Sequence, residues 1–421
     1  MNRSPRLPVD PVVGAAGLLR RVGFGLLVAA GPLLAVGSRR GLVIIAPLAI
    51  VLMVLATAIE SEGRQPLQRA WRALRSPTGG IATFLAFWAG LSLLWTPFPG
   101  EAADRLLNIV GVGLGGLIAV AALPERMRVS NLYLLPIGLG LGAILAVVLA
   151  LRTLTGRSAD PALDHWLLER GLIVIVLMTP AAVAWLLTKD RLVSGFVLVV
   201  LVTVAVVLAE AYAGLAALGA GAAVFALATV QPAAGRMTAL VVLPGLVLIA
   251  PAIPLALRAV TKMIYGPLHP LVETVRTWGR IVTDDPLRLV TGHGLDTALR
   301  AKLAGLVPQT APSGLLSDVW FELGFLGAIA LALLLGRAVQ ATARLSPGVA
   351  PGALMTLVVA FVLAITGQGA AQSWWLMSLV LAAVVILAVD RGQYRTSRPK
   401  SGTVPPREAL KPPQPVTAPK P

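Results

Sequence analysis

Between Arg258 and Ser313 a long polar, Arg-rich segment interrupts a chain that is otherwise a near-continuous series of apolar runs. Lipid leaves the backbone N–H and C=O groups of irregular chain unsatisfied, so this segment must lie in water or pack on protein while the runs on either side cross the bilayer. A soluble globular domain is excluded by bulk chemistry: 57% of the 421 residues are hydrophobic, 13% are charged, and the mean hydropathy is +0.84. A crossing helix needs roughly 20 apolar residues, and about twelve runs of that kind can be read. They fall near 22–37, 41–59, 80–96, 106–123, 132–151, 171–187, 192–209, 212–229, 239–257, 314–336, 351–367 and 373–389, the first and eleventh being short. Barrel strands would show short alternating segments, which are not seen. The expected fold is therefore an all-α polytopic membrane protein of about twelve transmembrane helices, with one large loop between spans nine and ten.

This division predicts five regions: an N-terminal segment 1–21, a first membrane block 22–257, the polar loop 258–313, a second block 314–389, and a basic Pro-rich tail 390–421. The net charge of +16 has a source in loop orientation that requires no nucleic acid. With the N-terminus in the cytoplasm, the inner loops collect Arg20, Arg21, Arg64, Arg69, Arg72, Arg75, Arg126, Arg128, Lys189, Arg191, Arg337 and Arg344, together with the tail. An even number of spans then places both termini inside and the 258–313 segment outside; Arg39 and Arg40 fall on the wrong side of this scheme. The stretch before the first span lacks a signal-peptide cleavage pattern, so that span is expected to stay attached. The tail reads as a disordered extension near anionic headgroups.

The chain has no Cys and three His, so thiol chemistry and a Cys-ligated metal are excluded and a His-rich metal site is not expected. Glycine runs such as Gly111, Gly113, Gly115 and Gly116 lie inside apolar spans, where small residues let helix backbones approach. The 96–105 segment reads as a plain connection, and 152–170 as a second polar loop on the same side as 258–313.

Within the large segment, Arg276 and Arg280 stand four apart, with Glu273 three before the first, so a helix there carries one charged face with Trp278 pointing elsewhere. Two readings stay open. One is an amphipathic helix on the membrane surface; the other is a guanidinium pair matched to a diphosphate, joined by Arg300, Lys302 and Arg170. Arg170 stands at the start of a span, where a charge needs a partner or an aqueous cavity.

The run Pro286 to Asp296 (PLRLVTGHGLD), ending with Arg300, followed by Trp320 to Gly327 (WFELGFLG), resembles the signature of the O-antigen ligase and polymerase family. The resemblance covers residues 276–327, with only the hydropathy layout supporting the rest. It implies a metal-independent, cofactor-free glycosyltransferase of the bacterial inner membrane whose large loop is periplasmic. Its partners would be an undecaprenyl-diphosphate-linked glycan, a lipid or glycan acceptor, and membrane lipids. Basic residues (Arg170, Arg276, Arg280, Arg300) would hold the diphosphate, and a base would deprotonate the attacking hydroxyl. The family's His-rich patch before the Glu322 motif is replaced here by Ala311-Pro312-Ser313-Gly314, so the candidates for the base become His293, Asp318 and Glu322. Glu210 and Tyr212 stand where the family tends to show an Arg-containing patch, a second departure. Rival expectations are a repeat-unit polymerase using the same carrier, a non-catalytic envelope assembly protein, and a secondary transporter.

Overall fold

The computed structural model describes residues 11–38, 40–60, 65–266, 269–367 and 372–393. Arg39, the first ten residues and nearly all of the basic tail lie outside these. Among the described residues the chain is helical with no strand, as expected where every backbone polar group must be satisfied within its own segment. In chain order the helices are α1 (Gly14–Gly37), α2 (Gly41–Glu60), α3 (Gln65–Leu74), α4 (Pro77–Leu94), α5 (Pro99–Ala122), α6 (Val129–Leu154), α7 (Pro161–Leu187) and α8 (Leu192–Leu208). There follow α9 (Tyr212–Val230), α10 (Pro232–Tyr265), α11 (Pro270–Asp284), α12 (Arg288–Thr291), α13 (Thr297–Leu303), α14 (Leu315–Thr342), α15 (Ala350–Ile365) and α16 (Ser373–Arg391). Ten of these are long and apolar enough to cross a membrane, and α8 and α15 are shorter apolar helices. The protein is thus an all-α polytopic membrane protein.

α7 is the hub. A helix that is apolar all round is buried all round, and 89% of its apolar window lies inside the protein, against 11% for α4 at the periphery. Packed around it are α1, α6, α8, α15 and α16. A second apolar cluster joins α9, α10, α14 and α15. A third, small cluster of Ala89, Ala102, Leu295 and Leu323 ties α4 and α5 to the polar segment and to α14.

Contacts between helix termini fall into two sets. At one end Arg20 pairs with Glu60, Arg69 with Glu125 at 3.0 Å, and Asp390 accepts from Ser346 N at 2.8 Å. The opposite end holds Arg105 against Glu322, Arg170 against Trp374, and α11–α13 as a cap.

Several boundaries differ from the sequence reading, each for a local reason. Polar residues at helix starts had looked like loop: the 96–105 connection is helical from Pro99, and the 152–170 loop from Pro161, where Asp160 caps by accepting from Leu163 N at 3.1 Å. The ninth span continues through a 3₁₀ turn at Ala250–Ala252 to Tyr265, so the polar segment begins as helix. The first span, read as short, gains length by starting earlier and passing through a π turn at Leu26–Ala30.

Candidate functional site

The site is built on a broken helix. Gly324 adopts φ 62° and ψ −157° inside α14, a conformation that L side chains rarely adopt, and the helix kinks there. Three carbonyls just before the break each take a donor from elsewhere. Phe321 O accepts from His293 N at 2.7 Å, Glu322 O from Gly294 N at 3.0 Å, and Leu323 O from the Trp88 indole at 2.8 Å. The turn after α12 therefore lies edge to edge with the break. Gly292, at φ 74°, permits the approach: a Cβ there would sit 2.2 Å from Glu322 O. On its other side the turn is bound to α4, with Leu295 N donating to Ser92 Oγ at 3.1 Å and Thr96 Oγ1 donating to Leu295 O at 3.0 Å.

Beneath the turn runs a buried ionic network. Arg105 Nη1 from the second turn of α5 lies 2.7 Å from Glu322 Oε1 and 3.2 Å from Asp296 Oδ1. Glu322 Oε1 also accepts from Ala298 N at 3.2 Å, and Asp296 Oδ2 accepts from Arg300 Nε at 2.9 Å. Buried charge of this kind persists only when paired and hydrogen-bonded. The Asp296 hydrogen bond holds the Arg300 guanidinium above its ordinary value.

Above the turn opens a cleft that encloses about 40 Å³ and widens to about 540 Å³ with its mouth. Its polar lining comprises Asp285, Arg288, His293, Lys302, Ser317 and Asp318, and its aromatic wall is Trp278, Trp320 and Phe321. His293 stacks on Phe321 with centroids 4.2 Å apart, and its Nδ1 lies 3.0 Å from Phe321 O. A carbonyl can only accept, so Nδ1 carries the proton and Nε2 keeps its lone pair in the neutral ring. Burial is the main cause that pushes the His293 pKa below its ordinary value of 6.5; Arg288 adds to this, while the Phe321 carbonyl and Asp285 oppose it. The imidazole is then neutral at pH 7, the form required of a base. Asp318 accepts from Gly314 N at 3.3 Å and from Ser317 Oγ at 3.2 Å in the first turn of α14, where the helix dipole favours an anion. Lys302 donates to Ala311 O at 2.6 Å and Pro312 O at 2.9 Å, closing the stretch before α14 over the cleft; burial lowers its pKa, opposed by Asp318.

Of the seven residues singled out from sequence, His293 and Asp318 line this cleft. Glu322 lies behind it in the ionic network, with 4% of its side chain exposed. Arg300 belongs to the same network and reaches toward Glu101 at 3.8 Å. Arg276 and Arg280 project to the exposed side of α11, whose other side presents Trp278, Ile281 and Val282 to the cleft. Arg170 sits between α7 and α16, with its guanidinium facing the Trp166 ring at 4.2 Å and the Trp374 ring at 4.4 Å. The sequence reading missed Arg105, Arg288 and the aromatic wall. The available signal for Arg105 was a charge a few residues inside an apolar helix, which needs a partner.

Among the described residues no cluster of three His, Asp or Glu side chains is arranged to hold a metal ion. Chemically, the cleft offers a neutral base, two carboxylates, two cations and an aromatic wall. Comparison with protein-family models, with curated proteins and with solved structures returned no match.

Proposed function

We propose that this protein is an O-antigen ligase-like glycosyltransferase that moves a glycan from an undecaprenyl-diphosphate carrier to a hydroxyl acceptor, at the periplasmic face of a bacterial inner membrane. The observation that carries the reading is the His293 imidazole, pinned through Nδ1 to Phe321 O in a cleft that also presents Arg288. His293 supplies from within the PLRLVTGHGLD turn the base that the stretch Ala311 to Gly314 lacks. In the reaction, Nε2 takes the proton of the acceptor hydroxyl as its oxygen attacks the anomeric carbon. The bond from that carbon to the diphosphate breaks, and the electron pair leaves with the diphosphate. Arg288, 40% exposed at the cleft wall, offers a guanidinium fork to the developing charge, a role the sequence reading gave to Arg170, Arg276, Arg280 and Arg300. Trp278 and Trp320 present faces on which a sugar ring can rest.

Membrane topology supports the same reading. With α3 lying at one end and α11–α13 forming the cap, nine helices precede the cap and three follow it among the described residues. The contacts between helix termini alternate end for end along the chain, as they do if α8 and α15 cross as well and the count is twelve. Arg20, Arg69, Arg72, Arg126, Arg128 and Arg191 gather at the end opposite the cap, a basic bias that supports a cytoplasmic side for that end. A transporter would need charges at mid-membrane; the ion pairs among the described residues lie near the ends of the bundle.

The test is in vitro transfer. Purified protein in nanodiscs is supplied with a polyprenyl-diphosphate-linked glycan and an acceptor, and release of free polyprenyl diphosphate is followed. Release that depends on acceptor supports a transferase. No release with any carrier-linked glycan removes the enzymatic reading.

A further inference from the structure

The ionic network accounts for Arg105 and Arg300, but Arg170 belongs to neither that network nor the cleft. Among the described residues its side chain faces two indole rings, Trp166 one turn earlier on α7 and Trp374 at the start of α16. Cation–π contacts of this kind fix a guanidinium in place and use none of its N–H donors. No ion pair to Arg170 occurs among the described residues, so a charged fork is held in position with its hydrogen-bonding capacity unspent.

The surroundings indicate what fits. Arg170 borders a shallow hollow that encloses about 20 Å³ and widens to about 290 Å³ with its open mouth, its lining including Ser38, Leu42, Val43, Val174 and Trp374. Along α7, Arg170 is the last charge before an uncharged, almost wholly apolar stretch from Gly171 to Leu187, followed by Lys189. At 1.5 Å per residue the two cations stand about 28 Å apart along the axis, close to the roughly 30 Å hydrocarbon thickness of a bilayer. Arg170 therefore lies at headgroup depth, with apolar Leu42, Val43 and Val174 beside it, and α2 turns Ile44 and Leu48 outward at 63% and 50% exposure.

We infer that Arg170, clamped by Trp166 and Trp374, binds the phosphate of a membrane lipid at a second anion site separate from the His293 cleft. The guanidinium takes the phosphate oxygens, Ser38 can add a hydroxyl donor, and the start of an acyl chain runs over the exposed Val43 and Ile44. The site makes no use of the glycosyl-transfer reading and stands without it.

Native mass spectrometry of the detergent-purified full chain, titrated with a short-chain phosphatidylglycerol and separately with inorganic phosphate, tests the assignment. Arg170→Ala is expected to weaken the tightest phosphatidylglycerol adduct by about tenfold or more, a change of roughly 1.4 kcal/mol. Arg170→Lys should fall between the two, and Arg288→Ala should keep that adduct. The lysine variant also serves if Arg170→Ala does not fold. Adducts with inorganic phosphate that are equally sensitive to Arg170 would identify a soluble phosphate as the ligand of the same site. Identical titration of wild type and both Arg170 variants with both probes would overturn the proposal and leave Arg170 a packing element.

Discussion

Arg105 Nη1 lies 2.7 Å from Glu322 Oε1, joining two residues 217 positions apart, with 12% and 4% of their side chains exposed. The pair fastens α5 to α14 directly behind the turn that carries His293. Removing one partner of a buried pair strands the other, at a cost of about 3–5 kcal/mol. Arg105→Leu leaves the buried Glu322 carboxylate with no cation and only the Ala298 N–H, while Asp296 keeps Arg300; Glu322→Gln leaves Arg105 with Asp296. Arg105→Leu is therefore expected to lower the unfolding temperature in detergent more than Glu322→Gln. Equal, small losses for both would show that the network is solvated.

The glycine pair at the helix break gives a steric prediction. Gly292→Ala places a methyl 2.2 Å from Glu322 O, and Gly324→Ala places one 2.5 Å from Val290 O, both at positive φ. Backbone strain of this kind costs about 1–3 kcal/mol before the clash is counted. Each variant should lose thermal stability and separate the turn from α14, while Gly245→Ala, with nothing within 4 Å, should not.

For His293, burial sets the sign of the pH dependence. Its folded pKa lies below 6.5, so the neutral form favoured by the fold is fully present above that value and is lost as pH falls through the folded pKa. The acid limb of kcat/KM is expected below pH 6.5, and the same protonation should destabilise the fold in that window. His293→Asn should reduce turnover by about 10²–10⁴-fold and abolish the limb. An acid limb at or above 6.5, or full activity in the variant, would remove His293 as the base.

Much of the architecture could be read from hydropathy, because a span is a local property of some twenty neighbouring residues. What escaped was non-local. Arg105 looked like loop because it closes a stretch with Pro97, Pro99, Glu101 and Asp104, and its partners come from 191 and 217 residues away. Gly324 entered the sequence reading only within the WFELGFLG run; its positive φ is set by the turn pressed against it. The charged face of α11 was legible from the spacing of Arg276 and Arg280, but which face meets the cleft depends on where α14 stands. His293 and Asp318 could be named because each sits beside a glycine-marked turn or helix start.

Sidedness can be read by labelling, since a chain without cysteine gives a clean background. Arg280→Cys on the cap should react with a membrane-impermeant maleimide in intact spheroplasts. Arg72→Cys, exposed at the opposite end, should react only after permeabilisation. The reversed pattern would place the cap in the cytosol and end the periplasmic assignment.

Glycolipid analysis of a strain lacking this protein, complemented with wild type or with His293→Ala, tests carrier-linked transfer most directly. The expected result is accumulation of glycan on its polyprenyl diphosphate carrier in the deletion and in the His293→Ala strain, cleared by wild type. Unchanged carrier-linked glycan in all three strains would contradict the account.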